Sequence, residues 1–286
     1  MANPIPVVAL MYDFDKTLCT KDMQEYGFIP AVRMTPDAFW EAADRLAVGE
    51  RMDRILAYMY LMLEQSKRVG AEITRRAFVE HGRSLELYPG VTDWFERTRV
   101  FGLAHGAIVE HYVISSGLRE IIEGSSIFHE FKEVFASEFL YDKQGLACWP
   151  RNAVNYTTKT QYLFRISKGI LDVTQHDNLN RHISPDERPV PWRNMIYIGD
   201  GLTDVPCMEL VKSNGGCSIA VYQPGQRSKV EDLLRDKRVD FVFSADYSPE
   251  SDLTRVVQAT IVRLASADAL VRESRRQYLE AMNRRD

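Results

Sequence analysis

Two aspartates one residue apart follow the first apolar run of the chain. The run begins at Val7, and residues 13–17 after it read Asp-Phe-Asp-Lys-Thr. In an extended strand alternate side chains share a side, so Asp13 and Asp15 point together while Phe14 points away. Because two partly desolvated carboxylates repel each other, the pair suits chemistry in which one attacks, the other moves protons and a divalent cation holds both. The alternative is a pair of solvated turn aspartates that cap the next segment.

A second apolar segment also ends in acidic residues. Residues 194–204 read Asn-Met-Ile-Tyr-Ile-Gly-Asp-Gly-Leu-Thr-Asp. Gly199 and Gly201 permit a tight bend around Asp200 and the close approach of a ligand. Asp204 returns to the same side once a helix begins, although Asp200 can also be read as a simple helix N-cap. Two such strand ends in one chain favour a shared site.

A hydroxyl-rich strand end and one lysine supply groups that suit a phosphate. Residues 111–119 read His-Tyr-Val-Ile-Ser-Ser-Gly-Leu-Arg. The Ser115 side chain and the backbone N–H groups of Ser116 and Gly117 can cradle phosphate oxygens near a helix start. Lys159 opens an amphipathic helix, where the helix dipole disfavours a cation unless an anion lies nearby. Ordinary N-capping by Ser115 and a solvated Lys159 are the alternatives.

In this order, the four segments resemble the four motifs of the haloacid dehalogenase-like superfamily of hydrolases. The first matches the motif Asp-x-Asp-x-Thr of that superfamily. The sequence Pro-Gly-Val at residues 89–91 resembles the Pro-Gly-Val that precedes a helix in its phosphoserine-phosphatase-like branch. The similarity extends from residue 7 to about residue 245. The matching segments are 13–17, Ser115, Lys159 and 199–204.

The order of secondary structure predicts an α/β fold. Strand-like and helix-like segments alternate, which favours a parallel sheet with helices on both faces. The resemblance implies that this is a three-layer, Rossmann-like core. A hairpin is predicted over residues 135–148 and a long surface loop over 172–192. The predicted strands are 7–13, 109–114, 133–136, 194–198, 217–222 and 240–243.

Residues 20–87 interrupt this alternation with helical periodicity. Helices are predicted at about 36–47, 51–69 and 74–86. The resemblance implies that this block is an inserted helical cap that closes over the site and selects the substrate. The predicted domains are a catalytic core formed by residues 1–19 and 88–286 and a cap formed by residues 20–87.

Composition narrows the class of protein. The chain has 36 basic and 40 acidic residues and a net charge of −4, so no basic surface indicates a nucleic-acid partner. Its four cysteines form no Cys-x-x-Cys pair, which is typical of reduced thiols. No signal peptide or membrane-spanning apolar stretch is recognisable, so we expect a cytoplasmic protein without a membrane partner. The oligomeric state stays open.

The resemblance implies a Mg²⁺-dependent phosphatase that hydrolyses a phosphomonoester of a small metabolite. Asp13 would attack phosphorus to form an aspartyl-phosphate, and Asp15 would act first as an acid and then as a base. The implied Mg²⁺ ligands are Asp13, Asp200 and the main-chain carbonyl of Asp15. Asp204 would help through water or by holding Lys159.

The identity of the substrate is not determined by these motifs. In phosphoserine phosphatases a cap acid binds the amino group and a cap arginine the carboxylate, roles that Asp22 or Glu25 and Arg51 or Arg54 can take here. The surrounding sequence departs from that family, so phosphates of sugars, amino alcohols and cofactors remain open. A phosphotransferase or phosphomutase would retain the same motifs. A non-catalytic binding protein on this fold would lack at least one of them.

Overall fold

A seven-stranded sheet runs through the computed structural model, which describes residues 5–283. Its strands are β1 Val7–Tyr12, β2 Ile108–Leu118, β3 Glu133–Tyr141, β4 Ala147–Asn152, β5 Met195–Gly199, β6 Cys217–Tyr222 and β7 Phe241–Ser244. Across the sheet their order is β4-β3-β2-β1-β5-β6-β7. Neighbouring strands run parallel except that β4 is antiparallel to β3. The predicted α/β fold with a parallel sheet is confirmed.

Helices surround the sheet and fill one long insertion. Within residues 5–283 no helix is both long and apolar enough to cross a membrane. The α-helices are α1 Phe28–Ala31, α2 Pro36–Glu50, α3 Arg54–Val69, α4 Arg75–Gly82, α5 Val91–Ala104, α6 Arg119–Gly124, α7 Tyr156–Lys168, α8 His176–Asn180, α9 Val205–Ser213, α10 Ser228–Arg235 and α11 Asp252–Asn283.

The central strand β1 shows why helices cover both faces of the sheet. Its side chains alternate between two buried apolar clusters, as the two-residue period of a strand requires. Val8, Leu10 and Tyr12 pack in a cluster that includes α5 and α11. Ala9 and Met11 pack in the other cluster, with α7, α9 and α10. An apolar run buried on both faces therefore produces the predicted three-layer arrangement.

Helices α1 to α4 lie between β1 and β2 in the chain, where the cap is predicted. Their apolar side chains, such as Phe39, Met59 and Phe78, belong to the same buried cluster as one face of the sheet. Asp53 also connects the two parts, because it caps α3 and its Oδ2 accepts a hydrogen bond of 2.8 Å from Asn155 at the start of α7. The division of the chain into two domains stays a prediction.

The three predicted cap helices differ from the observed ones in their bounds, and the first, predicted to end at residue 47, ends at Glu50. The second starts at Arg54 rather than at residue 51, because the Asp53 side chain accepts the first backbone N–H groups of the helix. Arg51 instead ends α2 in the left-handed region, with φ 51°. The third predicted helix ends at Gly82 and is followed by a turn, in which Ser84 donates its backbone N–H to the His81 carbonyl. The Glu86 carbonyl then accepts the backbone N–H of Thr20.

The predicted hairpin is confirmed, and the predicted loop is partly wrong. Strands β3 and β4 pair antiparallel, and the Asp142 side chain accepts the N–H groups of Gln144 and Leu146 in the turn. The loop over residues 172–192 contains the short helix α8. Lys168 holds this segment by donating to the carbonyl of Arg181 at 2.9 Å.

One buried histidine of the core titrates unusually. His111 is 1% exposed, and its Nδ1 and Nε2 lie 3.0 Å from the Tyr12 hydroxyl and 3.3 Å from the Thr98 hydroxyl. Burial lowers its pKa to about 3, and the charge of Arg99 acts in the same direction. The folded protein therefore holds this imidazole neutral in a range where the unfolded chain would protonate it.

We predict that His111 makes folding sensitive to mild acid. As the pH falls from 6.5 towards about 3, the histidine is protonated in the unfolded chain but stays neutral in the folded state. The free energy of unfolding that this group contributes above pH 6.5 is therefore lost. The contribution is up to about 1.4 kcal/mol per pH unit. Urea unfolding of His111→Gln across the mildly acidic range should show a shallower loss of unfolding free energy than the wild type. His105→Gln, at an exposed histidine, is the control, and equal slopes for His111→Gln and the wild type would contradict the prediction.

Candidate active site

The motif residues meet at the carboxyl edge of the sheet. Strand β1 lies between β2 and β5, and Tyr12 is aligned with Val113 on one side and Ile198 on the other. Asp13 and Asp200 therefore leave neighbouring parallel strands at the same level. The chain order reverses here, because β2 and β5 lie on opposite sides of β1, and such a switch point is where open α/β sheets bind ligands.

Three carboxylates crowd together at this edge. One oxygen from each of Asp13, Asp200 and Asp204 lies within 4.8 Å of the others. Burial and the charge of Asp204 raise the pKa of Asp13 to about 6, against the opposing effect of Lys159. Burial and the charge of Asp13 likewise raise the pKa of Asp200. The cluster therefore carries more negative charge than its neighbours neutralise.

Lys159 supplies the positive charge inside the cluster. Its ammonium group is fully buried, 2.7 Å from Asp204 Oδ1 and 3.2 Å from Asp13 Oδ1. Burial would lower the pKa of this lysine, but the charges of Asp13 and Asp204 raise it and keep it cationic. The alternative of a solvated surface lysine is thereby excluded. An Asn155 capping box starts α7 and sets the lysine in its first turns.

Asp204 has one oxygen paired and one oxygen free. Its Oδ1 accepts from Lys159 and, at 2.8 Å, from the Tyr197 hydroxyl. Its Oδ2 is buried and has no hydrogen-bond partner within the described part of the chain. Gly199 permits this approach, since a Cβ there would lie 2.6 Å from the Asp204 carboxyl carbon. The orphaned oxygen and the all-oxygen donor set fit a hard divalent cation such as Mg²⁺.

The end of β2 faces this cluster with small polar groups. Ser115 is buried, and its Oγ accepts the Gly117 N–H at 3.1 Å. The predicted cradle therefore has one of its backbone donors engaged by its own serine. The Ser116 carbonyl accepts the Tyr58 hydroxyl from α3 at 2.7 Å. Gly117 is required by space, because a Cβ there would lie 2.9 Å from Asp15 Oδ2.

Asp15 lies apart from the lysine and has its own surroundings. Its Oδ1 accepts the backbone N–H of Met23 at 2.8 Å. Burial and the charges of Asp22 and Asp13 raise its pKa well above the usual range of a carboxyl. A carboxyl whose pKa is raised keeps its proton to a higher pH than a free carboxyl and can donate it to a group in the cleft.

A cleft of about 340 Å³ opens between these strand ends and the inserted helices. Asp22 and Arg54, two of the four predicted cap contacts, line it. Each is already ion-paired there: Asp22 Oδ2 lies 2.5 Å from Lys16 Nζ, and Arg54 Nε donates to Asp44 at 3.1 Å. The lining residues are Asp13, Asp15, Lys16, Asp22, Gln24, Trp40, Ala43, Asp44, Arg54, Ile55, Tyr58, Ser115, Ser116, Gly117, Tyr156, Asp200, Gly201 and Thr203.

The other two predicted cap contacts lie outside the lining of this cleft. Burial and the charge of Asp22 raise the pKa of Glu25. Arg51 is exposed at the end of α2. The structure therefore brings one acid and one arginine of the predicted cap set to the cleft.

Several polar groups of the site are not predicted by the sequence, because they belong to apolar runs or lack a recognisable motif. Tyr197 is in the middle of β5, and Tyr58 belongs to a helix whose neighbouring apolar residues read as bundle core. Gln24 and Trp40 likewise have no motif around them. The sequence feature that indicates Tyr197, Tyr58 and Trp40 is a hydroxyl or indole within an otherwise apolar pattern, because such a group needs a hydrogen-bond partner when it is buried.

Comparisons with known proteins agree with this geometry. A model of the haloacid dehalogenase-like hydrolase family matches residues 10–209. An uncharacterized protein of Borreliella burgdorferi is 24% identical over 274 residues, which cover 86% of this chain and 94% of that protein.

Solved structures share the fold at low sequence identity. A phosphoserine phosphatase, described as a phospho-aspartyl intermediate analogue, is 12% identical with a TM-score of 0.54, over 89% of this chain and 99% of that one. A hydrolase of the same family from Salmonella enterica subsp. enterica serovar Typhi is 18% identical with a TM-score of 0.52, over 84% of this chain and 68% of that one. The family model covers most of the chain, and all four motif segments lie within it. The chain therefore belongs to the haloacid dehalogenase-like hydrolase family.

Proposed function

We propose that this hydrolase is a Mg²⁺-dependent phosphatase that cleaves a phosphomonoester of a small metabolite through an aspartyl-phosphate on Asp13. The observation that carries the proposal is the buried ammonium of Lys159 between Asp13 and Asp204, beside Asp200. A lysine in this position neutralises a nucleophilic carboxylate at rest and a phosphoryl group during the reaction. Family membership makes the enzyme a hydrolase, and the chemistry of these residues favours a phosphoryl group as its target.

Asp13 is the nucleophile in this scheme. The Phe14 N–H and Lys159 both contact its Oδ1, so we assign the attack on phosphorus to Oδ2. A bond forms between Oδ2 and phosphorus while the bond from phosphorus to the ester oxygen breaks, and the electron pair leaves with that oxygen. Lys159 and the Ser115 hydroxyl, which accepts one hydrogen bond and still has a proton to donate, stabilise the equatorial phosphoryl oxygens.

Asp15 is the acid and then the base. Its raised pKa lets it carry the proton that the leaving alkoxide needs. It then takes a proton from water, whose oxygen attacks phosphorus and breaks the bond to Asp13. Inorganic phosphate leaves and the Asp13 carboxylate is restored. The bond from the Met23 N–H to Asp15 Oδ1 orients the carboxyl for both transfers.

The metal would be held by Asp13, Asp200 and the main-chain carbonyl of Asp15. The free Oδ2 of Asp204 would contact a water of the ion. When bound, Mg²⁺ supplies positive charge to the phosphoryl oxygens and removes the repulsion among the carboxylates. The residues themselves supply an all-oxygen set of the kind that Mg²⁺ prefers.

We also propose that residues 20–87 act as a lid over this chemistry. Two contacts support the proposal: the Tyr58 hydroxyl donates to the Ser116 carbonyl, and Asn155 donates to Asp53. Both connect helix α3 to segments that carry the phosphate-binding and lysine groups. Opening would break these two bonds. The ion pair of Arg75 with Glu123 and the bond from the Ala147 N–H to the Ile73 carbonyl would still join the α4 end of the insertion to the core.

A phosphotransferase or phosphomutase would use the same aspartyl-phosphate and keep water from it. The two activities are separated by their products, because a phosphatase releases inorganic phosphate in step with substrate loss. Stoichiometric phosphate release with Mg²⁺ and p-nitrophenyl phosphate is expected. A transferred or isomerised ester in place of phosphate would favour the alternative.

The first test of the mechanism removes the nucleophile. Asp13→Asn should lower kcat by at least about a thousandfold, because an amide cannot form the acyl phosphate. Asp232→Asn, at an exposed aspartate of α10, is the matched control and should keep wild-type turnover. Circular dichroism establishes that both variants are folded. Retention of a tenth of the wild-type rate by folded Asp13→Asn would overturn the assignment.

The second test concerns the metal. EDTA should abolish activity and Mg²⁺ restore it, whereas Ca²⁺ should inhibit because its higher coordination number spoils the in-line geometry. Mg²⁺ should also raise the melting temperature of the wild type, since a ligand that binds only the folded state stabilises it. Asp200→Asn should weaken that thermal shift and raise the Mg²⁺ concentration needed for activity. An unchanged Mg²⁺ titration and thermal shift in this variant would remove Asp200 from the ligand set.

A further inference from the structure

Three residues that line the cleft have a buried polar atom without a hydrogen-bond partner among the described residues: Ser116, at the end of β2, and Gln24 and Trp40, in the inserted segment. Gln24 is 1% exposed, and its Oε1 is unpartnered among the described residues. The indole Nε1 of Trp40 is also buried and unpartnered. Both side chains line the cleft on the side of the inserted segment, away from Lys159. A buried polar group without a partner costs free energy that a ligand can recover by supplying the missing bond.

The chemistry of these two atoms points to hydroxyl groups. An indole N–H can only donate a hydrogen bond, whereas a glutamine carbonyl oxygen can only accept one. A hydroxyl does both, so an alcohol with free hydroxyls can satisfy Trp40 and Gln24 together. A hydroxyl also matches either end of the Gln24 amide, whichever faces the ligand.

The charged side chains of the same wall are already paired. Lys16 Nζ lies 2.5 Å from Asp22, and Arg54 donates to Asp44. An ammonium on the leaving group would compete with Lys16 for Asp22, and a carboxylate would compete with Asp44 for Arg54. The cap side of the cleft therefore offers two neutral hydrogen-bonding groups and no net charge for a zwitterion.

Size and surface narrow the ligand further. The cleft of about 340 Å³ is at the small end of ligand sites. Ala43, Ile55 and Tyr58 provide apolar surface for a short carbon skeleton. The Tyr58 ring packs edge-on against Trp40, with 5.8 Å between ring centroids, which holds the indole in place.

We propose that the leaving group is an uncharged polyhydroxy alcohol, so that the substrate is the monophosphate of a sugar or polyol. Its hydroxyls accept from Trp40 Nε1 and donate to Gln24 Oε1, while the phosphoryl group lies at Asp13. Trp40 and Gln24 are then the specificity-determining residues of the cleft. This inference rests on the proposed phosphatase activity.

The test compares substrates that differ only in the leaving group. We expect the wild type to hydrolyse a hexose or polyol monophosphate with kcat/KM at least about tenfold above those for phosphoserine and phosphoglycolate. Trp40→Phe removes the N–H and keeps a ring, and Gln24→Leu removes the amide at similar size. Each should lower kcat/KM for the sugar or polyol phosphate by about tenfold and that for p-nitrophenyl phosphate by less than about twofold.

Matched controls replace the same residue types outside the cleft. Trp149→Phe, at an exposed position of β4, and Gln144→Leu, in the hairpin turn, should leave both substrates unaffected. If Trp40→Phe and Gln24→Leu fail to fold, the substrate ranking of the wild type still decides between the leaving groups.

The outcomes separate this inference from the proposed function. Hydrolysis of p-nitrophenyl phosphate with a preference for phosphoserine or phosphoglycolate would overturn the inference and leave the phosphatase intact. Equal losses on all substrates in the two variants would do the same. Absence of phosphate release from every ester, with Mg²⁺ present and the protein folded, would overturn the proposed function and the inference with it.

Discussion

Electrostatic repulsion among buried carboxylates is the constraint on which the site depends. Asp13, Asp200 and Asp204 bring oxygen atoms within 4.8 Å of one another, and the ammonium of Lys159 contacts Asp13 and Asp204. Burial removes the water that would otherwise screen these charges. The lysine stays cationic because two carboxylates contact it. The carboxylates in turn stay close to each other because the charge of the lysine reduces their repulsion. The remaining excess of negative charge is what gives a divalent cation its place in the proposed mechanism.

The sheet makes this concentration of charge possible. Parallel strands buried on both faces form a rigid layer, and the carboxyl ends of neighbouring strands lie side by side at one edge of it. Side chains there are positioned by hydrogen bonds of the neighbouring strands and by close backbone approach at Gly117 and Gly199. The free energy for holding charges together therefore comes from the two apolar clusters on the faces of the sheet, which contain none of the carboxylates and not Lys159.

The inserted helices differ from the core in how their charges are arranged. In the core, charge is concentrated and left partly unbalanced at Asp200, whereas the cap acids Asp22 and Asp44 are paired with Lys16 of the core and Arg54 of the cap. Unbalanced charge suits a metal and a phosphoryl group. Balanced charge beside the unpartnered groups of Gln24 and Trp40 suits a neutral, hydroxylated leaving group. The same cleft thus separates the chemical step from substrate selection.

The sequence by itself determined the α/β fold, the strand ends at Asp13 and Asp200, and the hairpin after β3, because these follow from local period, turn chemistry and motif order. It placed the end of the second strand before Ser115, whereas β2 continues to Leu118. Local pattern failed at the ends of the cap helices, where the Asp53 side chain decided where α3 begins. Only the tertiary structure decided that Lys159 is buried between two carboxylates, that Tyr197 holds Asp204, and that Asp22 and Arg54 enter the cleft already paired. The lysine contacts join segments far apart in the chain, whereas the pairs at Asp204, Asp22 and Arg54 join residues 6 to 10 positions apart. In both cases hydrophobic period and residue spacing carry no information about which polar atoms the packing brings together and which it leaves without a partner.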